Sequence, residues 1–224
     1  MENIVENSSL RNATYVFKDR REAGILLAGL LTGYGGSNAI VLAIPSGGVP
    51  VAHEIQRTLS LDLDLIIVRK AQIPWNPEAG FGAVNLDGDV MLNRELIRLL
   101  KLSDRSIDRQ IKKTVEILKS RDSIFRQGKA FPDIRNRTVI LIDDGLASGY
   151  TMRAAVTFVK KRTPAEIIIA VPTGSCKTLQ GMSTEVDSTY CLNIREGFPF
   201  AVADAYRVWH DLTDEDVLDL LKNA

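Results

Sequence analysis

Two cysteines and two histidines leave little material for a disulfide framework or a Cys/His metal centre. Cys176 and Cys191 read as free thiols of a reducing compartment. His53 and His210 stand far apart in the chain and read as structural. Neither sign of charge is in excess: 28 basic and 28 acidic residues give a formal net charge of zero, so neither nucleic acid nor a membrane surface is implied as a partner. No run approaches the roughly 18 uninterrupted apolar residues of a membrane-spanning helix. The opening MENIVENSSLRNATYVF lacks the basic start and apolar stretch of a secretory signal, so a cytoplasmic location is expected.

What the chain has is an ordinary globular composition. Of its 224 residues 45% are apolar, enough for one α/β domain with additions, and 25% are charged. Segments 39–44, 63–68, 139–144, 166–171 and 188–192 read as strands, separated by helical patterns such as Ala23, Leu26, Leu27, Leu30 and Leu31. Such alternation predicts an α/β fold: a doubly wound, mostly parallel five-stranded sheet flanked by helices. One domain over 1–224 is expected, with a loop and helical insertion over 71–130 and a C-terminal hood and helix over 193–224. Thr213, just before Asp214-Glu215-Asp216, reads as the cap of that helix.

The most informative stretch is Val139-Ile140-Leu141-Ile142-Asp143-Asp144-Gly145-Leu146-Ala147-Ser148-Gly149-Tyr150-Thr151. A buried strand ends in two carboxylates, where α/β sheets bind ligands. A short loop follows, and Thr151 opens a helix with Met152, Ala155, Val156 and Val159 on one face. Backbone N–H groups of such a loop suit a monophosphate, with Ser148 and Thr151 adding hydroxyls. Asp143 and Asp144 would repel that phosphate unless they accept from two neighbouring sugar hydroxyls or hold a cation. Phosphate and vicinal diol one sugar apart describe a ribose 5-phosphate. The plainer alternative is a strand–turn–helix with two surface aspartates. No Lys-Ser/Thr pair follows the glycines and no G-x-G-x-x-G is present, so the nucleotide and dinucleotide loops do not fit.

A second strand–loop–helix, Ala39–Ile44 into Pro45-Ser46-Gly47-Gly48-Val49-Pro50, offers a Gly-Gly pair before a helix start and is a candidate pyrophosphate cradle. The strand over 63–68 ends in Arg69-Lys70, two cations suited to neutralising a leaving group. Ala71–Val84 is broken by proline and glycine and reads as a long loop or ribbon, with Trp75 as lid or anchor. Residues 93–127 read as two helices, Arg94–Leu100 and one from about Asp104; a homodimer, if one forms, would use them. Pro172-Thr173-Gly174-Ser175 reads as the loop that ends the fourth strand. Phe198, Phe200, Tyr206 and Trp209 read as hood packing before a stacking platform for an acceptor.

The thirteen residues resemble the phosphoribosyl pyrophosphate (PRPP) signature of type I phosphoribosyltransferases: four apolar residues, two acids, then a small-residue loop ending in Thr. The resemblance implies transfer of 5-phosphoribosyl from PRPP to an acceptor nitrogen with release of pyrophosphate, and Mg²⁺ held mainly by PRPP near Asp143 and Asp144 with no direct protein ligand. Asp143 and Asp144 would hold the ribose hydroxyls. Gly145, Leu146, Ala147, Ser148, Gly149, Tyr150 and Thr151 would wrap the 5-phosphate. Ser46, Gly47 and Gly48, with Arg69 and Lys70, would take the pyrophosphate, often beside a cis peptide bond at a non-proline residue. The chain also resembles one branch of the family through Arg69-Lys70, Pro74-Trp75-Asn76-Pro77-Glu78 and Gly82-Ala83-Val84. It departs at Ser46, where relatives carry arginine, and so lacks a bidentate cation there. Ala147 stands where 6-oxopurine members carry an aspartate, which disfavours a hypoxanthine–guanine acceptor. A PRPP- or nucleotide-sensing regulator on the same fold is the alternative reading, and a sugar-phosphate hydrolase a third.

Overall fold

The computed structural model describes residues 3–197 and 199–222. Its strands run β1 (Ile4–Glu6), β2 (Ile40–Ala43), β3 (Asp62–Leu65), β4 (Val68–Ile73), β5 (Asn76–Asn85), β6 (Val90–Leu92), β7 (Thr138–Ile142), β8 (Glu166–Ser175) and β9 (Ser188–Arg195). The helices are α1 (Arg20–Leu30), α2 (Gly48–Leu59), α3 (Arg94–Leu99), α4 (Asp104–Arg126), α5 (Tyr150–Lys160), α6 (Cys176–Ser183) and α7 (Asp214–Lys222). The chain divides into two compact units: residues up to Ile66, Pro132–Gly149 and Arg162 onward form the first, and Ile67–Phe131 with Tyr150–Lys161 the second. The excursion expected over 71–130 makes up most of the second.

The first unit is built on a six-stranded sheet in the order β1-β9-β8-β7-β2-β3, every pairing parallel. The α/β class with a parallel sheet flanked by helices is as expected. The sixth strand, β1, lies in what reads as a polar lead-in: three residues of an edge strand are too short for periodicity to register. β2 is buried along its whole length and β7 along its last four residues, which is why both read as continuous apolar runs. From β2 the chain moves to β3 on one side; from β7 it moves to β8 and β9 on the other. The order therefore reverses between β2 and β7, the place where open α/β sheets bind ligands.

Two boundaries differ from the expected ones. Pro172–Ser175 does not end the fourth strand: β8 runs through it, pairing Thr173 with Asn193 and Ser175 with Arg195. Thr173 Oγ1 donates to Asn193 Oδ1 at 2.7 Å, a buried side-chain bond that holds the strands together past the proline. The run 63–68 is not one strand. β3 stops at Leu65, and β4 begins at Val68 in the second unit, because Ile66 and Ile67 are as buried as the residues around them and leave no polar mark at the break.

In the second unit β4, β5 and β6 form an antiparallel sheet, so Ala71–Val84 is a ribbon. α5 packs on it through Met152, Ala155, Val156 and Val159, all essentially inaccessible. Buried Asn85 donates to the Ala154 carbonyl at 3.1 Å and to Asp89 Oδ2 at 2.9 Å. Trp75 is 63% exposed, which removes the anchor reading. At the C-terminus Thr213 caps α7 as expected: Asp216 N–H donates to Thr213 Oγ1 at 3.1 Å, and Thr213 N–H to Asp216 Oδ2 at 2.8 Å. Among the described residues no helix is long and apolar enough to cross a membrane, and Cys176 and Cys191 are free thiols.

Candidate functional site

Ala43 lies opposite Ile142 in the β2–β7 pair, so the loops that follow these strands leave the same sheet edge side by side. The β2 loop is the tighter. Pro45, Ser46 and Gly47 turn directly into α2, and the Pro45–Ser46 peptide bond is cis. A Cβ on Gly48 would stand 2.7 Å from the Ile142 carbonyl oxygen and 3.0 Å from Asp143 Cα. On Gly47 it would stand 2.0 Å from Asp144 Oδ2. The two loops touch because both residues lack a side chain. That tightness uses up part of the expected cradle: Gly48 N–H donates to the Ile44 carbonyl at 3.0 Å and Val49 N–H to the Ser46 carbonyl at 3.2 Å. Among the described residues the Gly47 N–H has no acceptor.

The β7 loop carries the acids. Asp143 and Asp144 are both half-buried, and Asp143 Oδ1 accepts the Asp144 N–H at 2.9 Å. Arg20, the first residue of α1, donates from Nε to Asp144 Oδ2 at 2.9 Å and from Nη1 to the His210 carbonyl at 2.9 Å. Its guanidinium carbon lies 3.8 Å from the centre of the Trp209 ring. Tyr206, 1% exposed, donates its hydroxyl to the Asp144 carbonyl at 2.6 Å. Burial, then the neighbouring Asp144 charge, pushes the Asp143 carboxyl well above the usual carboxylate range. Burial also raises Asp144, but the Arg20 guanidinium pulls it back. Both members of the couplet are thus held above the ordinary carboxylate range, Asp143 further than Asp144, whose rise Arg20 offsets in part.

Beyond the acids the loop is pinned to β8: Leu146 N–H donates to the Thr173 carbonyl at 2.9 Å, and Ser175 N–H to the Leu146 carbonyl at 2.9 Å. Val202 covers Gly145 closely enough that a Cβ there would meet it at 2.4 Å. Thr178 Oγ1 donates to the Ala147 carbonyl at 2.6 Å. Ala147 and Ser148 are exposed, and Gly149 has φ +79°, the left-handed region. Among the described residues the N–H groups of Ala147, Ser148 and Gly149 have no acceptor, as an anion-binding turn requires. Tyr150 and Thr151 follow as the first residues of α5.

Arg69 and Lys70 are not at the end of a parallel strand. They lie within β4, opposite Val84 and Ala83 of β5, in the second unit. The cause is the hidden break at Ile66–Ile67. The hood aromatics turn out to be packing: Tyr206 stacks between Phe17, at 5.6 Å, and Trp209, at 5.2 Å, while Trp209 gives a face to Arg20. Phe198 lies outside the described residues. Neither histidine side chain enters the couplet. His53 lies 3.9 Å from Glu54, and His210 contributes its carbonyl. Arg20 is the residue that reading the sequence missed. An arginine after an N-cap aspartate looks like any exposed helix start, and nothing local says that it is buried.

No group of three or more His, Cys, Asp or Glu side chains that could hold a metal occurs among the described residues. Two carboxylates at the couplet fit an oxygen-loving cation that keeps most of its ligands from phosphate and water.

Comparison with known proteins identifies the family. The family model described as "Phosphoribosyl transferase domain" matches residues 20–207. A Mycobacterium tuberculosis H37Rv protein named "Putative phosphoribosyl transferase Rv0571c" is 34% identical over 209 residues, covering 93% of this chain and 47% of the relative. The chain thus spans about half the length of the curated relatives it matches. The crystal structure of TT1426 from Thermus thermophilus superposes with a TM-score of 0.73 at 34% identity, covering 92% of this chain and 98% of that one. A Neisseria gonorrhoeae hypothetical protein solved with bound ppGpp shares the fold, at a TM-score of 0.51 and 13% identity, covering 95% of this chain and 96% of that one. Arg20, the first residue of the matched region, and the couplet and loops at the reversal point all fall inside it: the chain belongs to the phosphoribosyl transferase family.

Proposed function

We propose that the protein transfers the 5-phosphoribosyl group of PRPP to an acceptor nitrogen and releases pyrophosphate. The observation that carries this is the contact of the two loops at the reversal of strand order, with the Asp144 carboxylate lying against Gly47. A ligand that meets the couplet there also meets the glycine loop, as a pyrophosphate-bearing ribose must. In this reading Asp143 and Asp144 accept from the ribose hydroxyls. The free N–H groups of Ala147, Ser148 and Gly149 take the 5-phosphate, with the hydroxyls of Ser148 and Thr151 next in the chain. The Gly47 N–H and Ser46 meet the pyrophosphate.

The reaction breaks the bond from ribose C1 to the pyrophosphate oxygen, whose electron pair leaves with pyrophosphate, and forms a bond from the acceptor nitrogen lone pair to C1. Positive charge builds on the ring, as in other oxocarbenium-like substitutions. Asp144, oriented by Arg20, lies where that charge and the ring hydroxyls can be met, so the protein supplies orientation and electrostatics and no covalent nucleophile. Mg²⁺, carried by the oxygens of PRPP near the couplet, would neutralise the leaving group. Arg69 and Lys70 enter this reading through the family resemblance alone. If they serve the leaving group, Arg69→Ala and Lys70→Ala slow pyrophosphate release and leave PRPP affinity within about threefold of wild type, less than one hydrogen bond's worth. Ala147, with no side-chain acceptor, favours a base other than a 6-oxopurine.

The test is PRPP-dependent pyrophosphate release with Mg²⁺ across a panel of bases, beside calorimetric titration with PRPP. Release with one acceptor class supports the proposal. Binding without release for any acceptor replaces it with a PRPP-sensing regulator, phosphate release without acceptor with a hydrolase, and no binding overturns it.

A further inference from the structure

Arg20 occupies a position that its helix does not favour. It is the first residue of α1, where the helix dipole presents positive charge and an acid is preferred. Asp19 already caps that end by accepting the Glu22 N–H at 2.9 Å, so Arg20 contributes nothing there. It is also among the few charged residues buried in the first unit, at 8% exposure. Burying a cation against a helix N-terminus costs stability twice, and chains keep such conflicts where a site needs them.

What the side chain touches says what the site needs. One guanidinium edge meets a single oxygen of Asp144, another the His210 carbonyl, and the flat face rests on Trp209. Three unlike contacts from three directions fix the group, which is therefore not poised to swing. Its bond to Asp144 is one-pronged: Nε alone meets the carboxylate, at Oδ2. The second oxygen of Asp144 is left uncovered by Arg20. Tyr206, packed 5.2 Å from Trp209, holds the carbonyl of the same aspartate. Arg20 and Tyr206 thus brace one residue, with Trp209 packed against both.

We infer that Arg20 is the positioning residue of the ribose site, orienting Asp144, one of the two carboxylates that meet the ring hydroxyls. This rests on the proposed transfer reading. It excludes the opposite role, a latch that occupies Asp144 until substrate displaces it. The two roles predict opposite signs. A positioning cation that is removed weakens PRPP binding; a removed latch strengthens it.

The experiment is calorimetric titration of Mg²⁺ and PRPP into wild type, Arg20→Gln, Arg20→Lys, Asp144→Asn and the double variant Arg20→Gln/Asp144→Asn, each checked by circular dichroism. Wild type that binds no PRPP overturns the transfer reading itself, whatever the variants do. Given wild-type binding, Arg20→Gln is expected to raise Kd about tenfold or more, the worth of one charge-assisted hydrogen bond. Arg20→Lys should recover part of it, because the ammonium restores the charge but not the second contact. In the Asp144→Asn background the Arg20 change should add little, since the two act as a unit. Unchanged or tighter binding by Arg20→Gln overturns the inference, as does full additivity in the double variant. Should Arg20→Gln fail to fold, Trp209→Leu takes its place. It removes the ring beneath the guanidinium and keeps every charge, and a Kd raised about threefold or more is expected, against an unchanged Kd that would overturn the role.

Discussion

The two loops at the reversal of strand order look alike in sequence, each a buried strand, two glycines and a helix, yet they use glycine for different reasons. In the loop after β2, Gly47 has an ordinary right-handed backbone, at φ −61°, and neither Gly47 nor Gly48 is in the left-handed region. There the missing Cβ makes room for Ile142, Asp143 and Asp144 of the neighbouring loop. In the loop after β7, Gly149 is needed for its φ of +79°. The first loop is shaped by what lies beside it; the second has close neighbours as well, Val202 against Gly145 and Thr178 against Gly149, and in addition a turn that Gly149 alone of the four makes with a positive φ. A motif read as "two glycines before a helix" therefore covers glycines that serve only a tertiary contact and one whose own conformation is also at stake.

The largest effect should come from the residue that joins the loops. Asp144→Asn removes the carboxylate that lies against Gly47, and pyrophosphate release is expected to fall about a hundredfold or more. It also leaves Arg20 buried beside a neutral amide, so the fold loses stability as well. A loss of about 3 kcal/mol in urea unfolding follows from breaking a buried pair. A variant that binds PRPP normally would show that the loops merely touch.

Next is Gly48→Ala. The added methyl meets backbone, which cannot turn aside, and a loss of about 1–3 kcal/mol with weakened PRPP binding is expected. Gly149→Ala should cost about 1–2 kcal/mol through its left-handed backbone, and Gly149→Asn less, because asparagine tolerates that region. The comparison breaks if Gly48→Asn and Gly48→Ala differ in the way the two Gly149 variants do, since that would make Gly48 conformational as well. Urea midpoints of the four proteins decide it.

The smallest effect is in the pH dependence of stability. The folded-state pKa of Asp143 lies above its unfolded value, so the folded protein binds the extra proton between the two. Stability then falls as pH rises from the ordinary carboxylate range through the raised pKa, by about 1.4 kcal/mol per unit of displacement. Asp143→Asn cannot ionise and should gain on wild type over that window while losing PRPP affinity. Urea midpoints from about pH 4 to about pH 8 would show it, and parallel profiles would mean that the couplet shares its charge otherwise.

The parallel sheet was legible because Ala39–Ile44, Val139–Ile142 and Ile167–Val171 are buried on both faces and so read as unbroken apolar runs. The same property concealed the chain's main division. Leu65–Val68 is equally apolar throughout, although Ile66 and Ile67 separate two units and carry Arg69 and Lys70 into the second. A buried break and a buried strand present the same residues. The couplet and its loop were legible for a different reason: phosphate-binding turns need small residues and hydroxyls at set spacing, whatever surrounds them.

By itself the sequence determined the class of fold, the places where strands give way to glycine-containing turns, and the family, because hydrophobic period and turn chemistry are local properties of the chain. The tertiary structure decided which turns stand together, that Gly47 and Gly48 serve their neighbour, and that an unremarked arginine at the start of α1 holds Asp144. Those depend on strand order and on burial, which arise only when segments far apart in the chain are brought into contact.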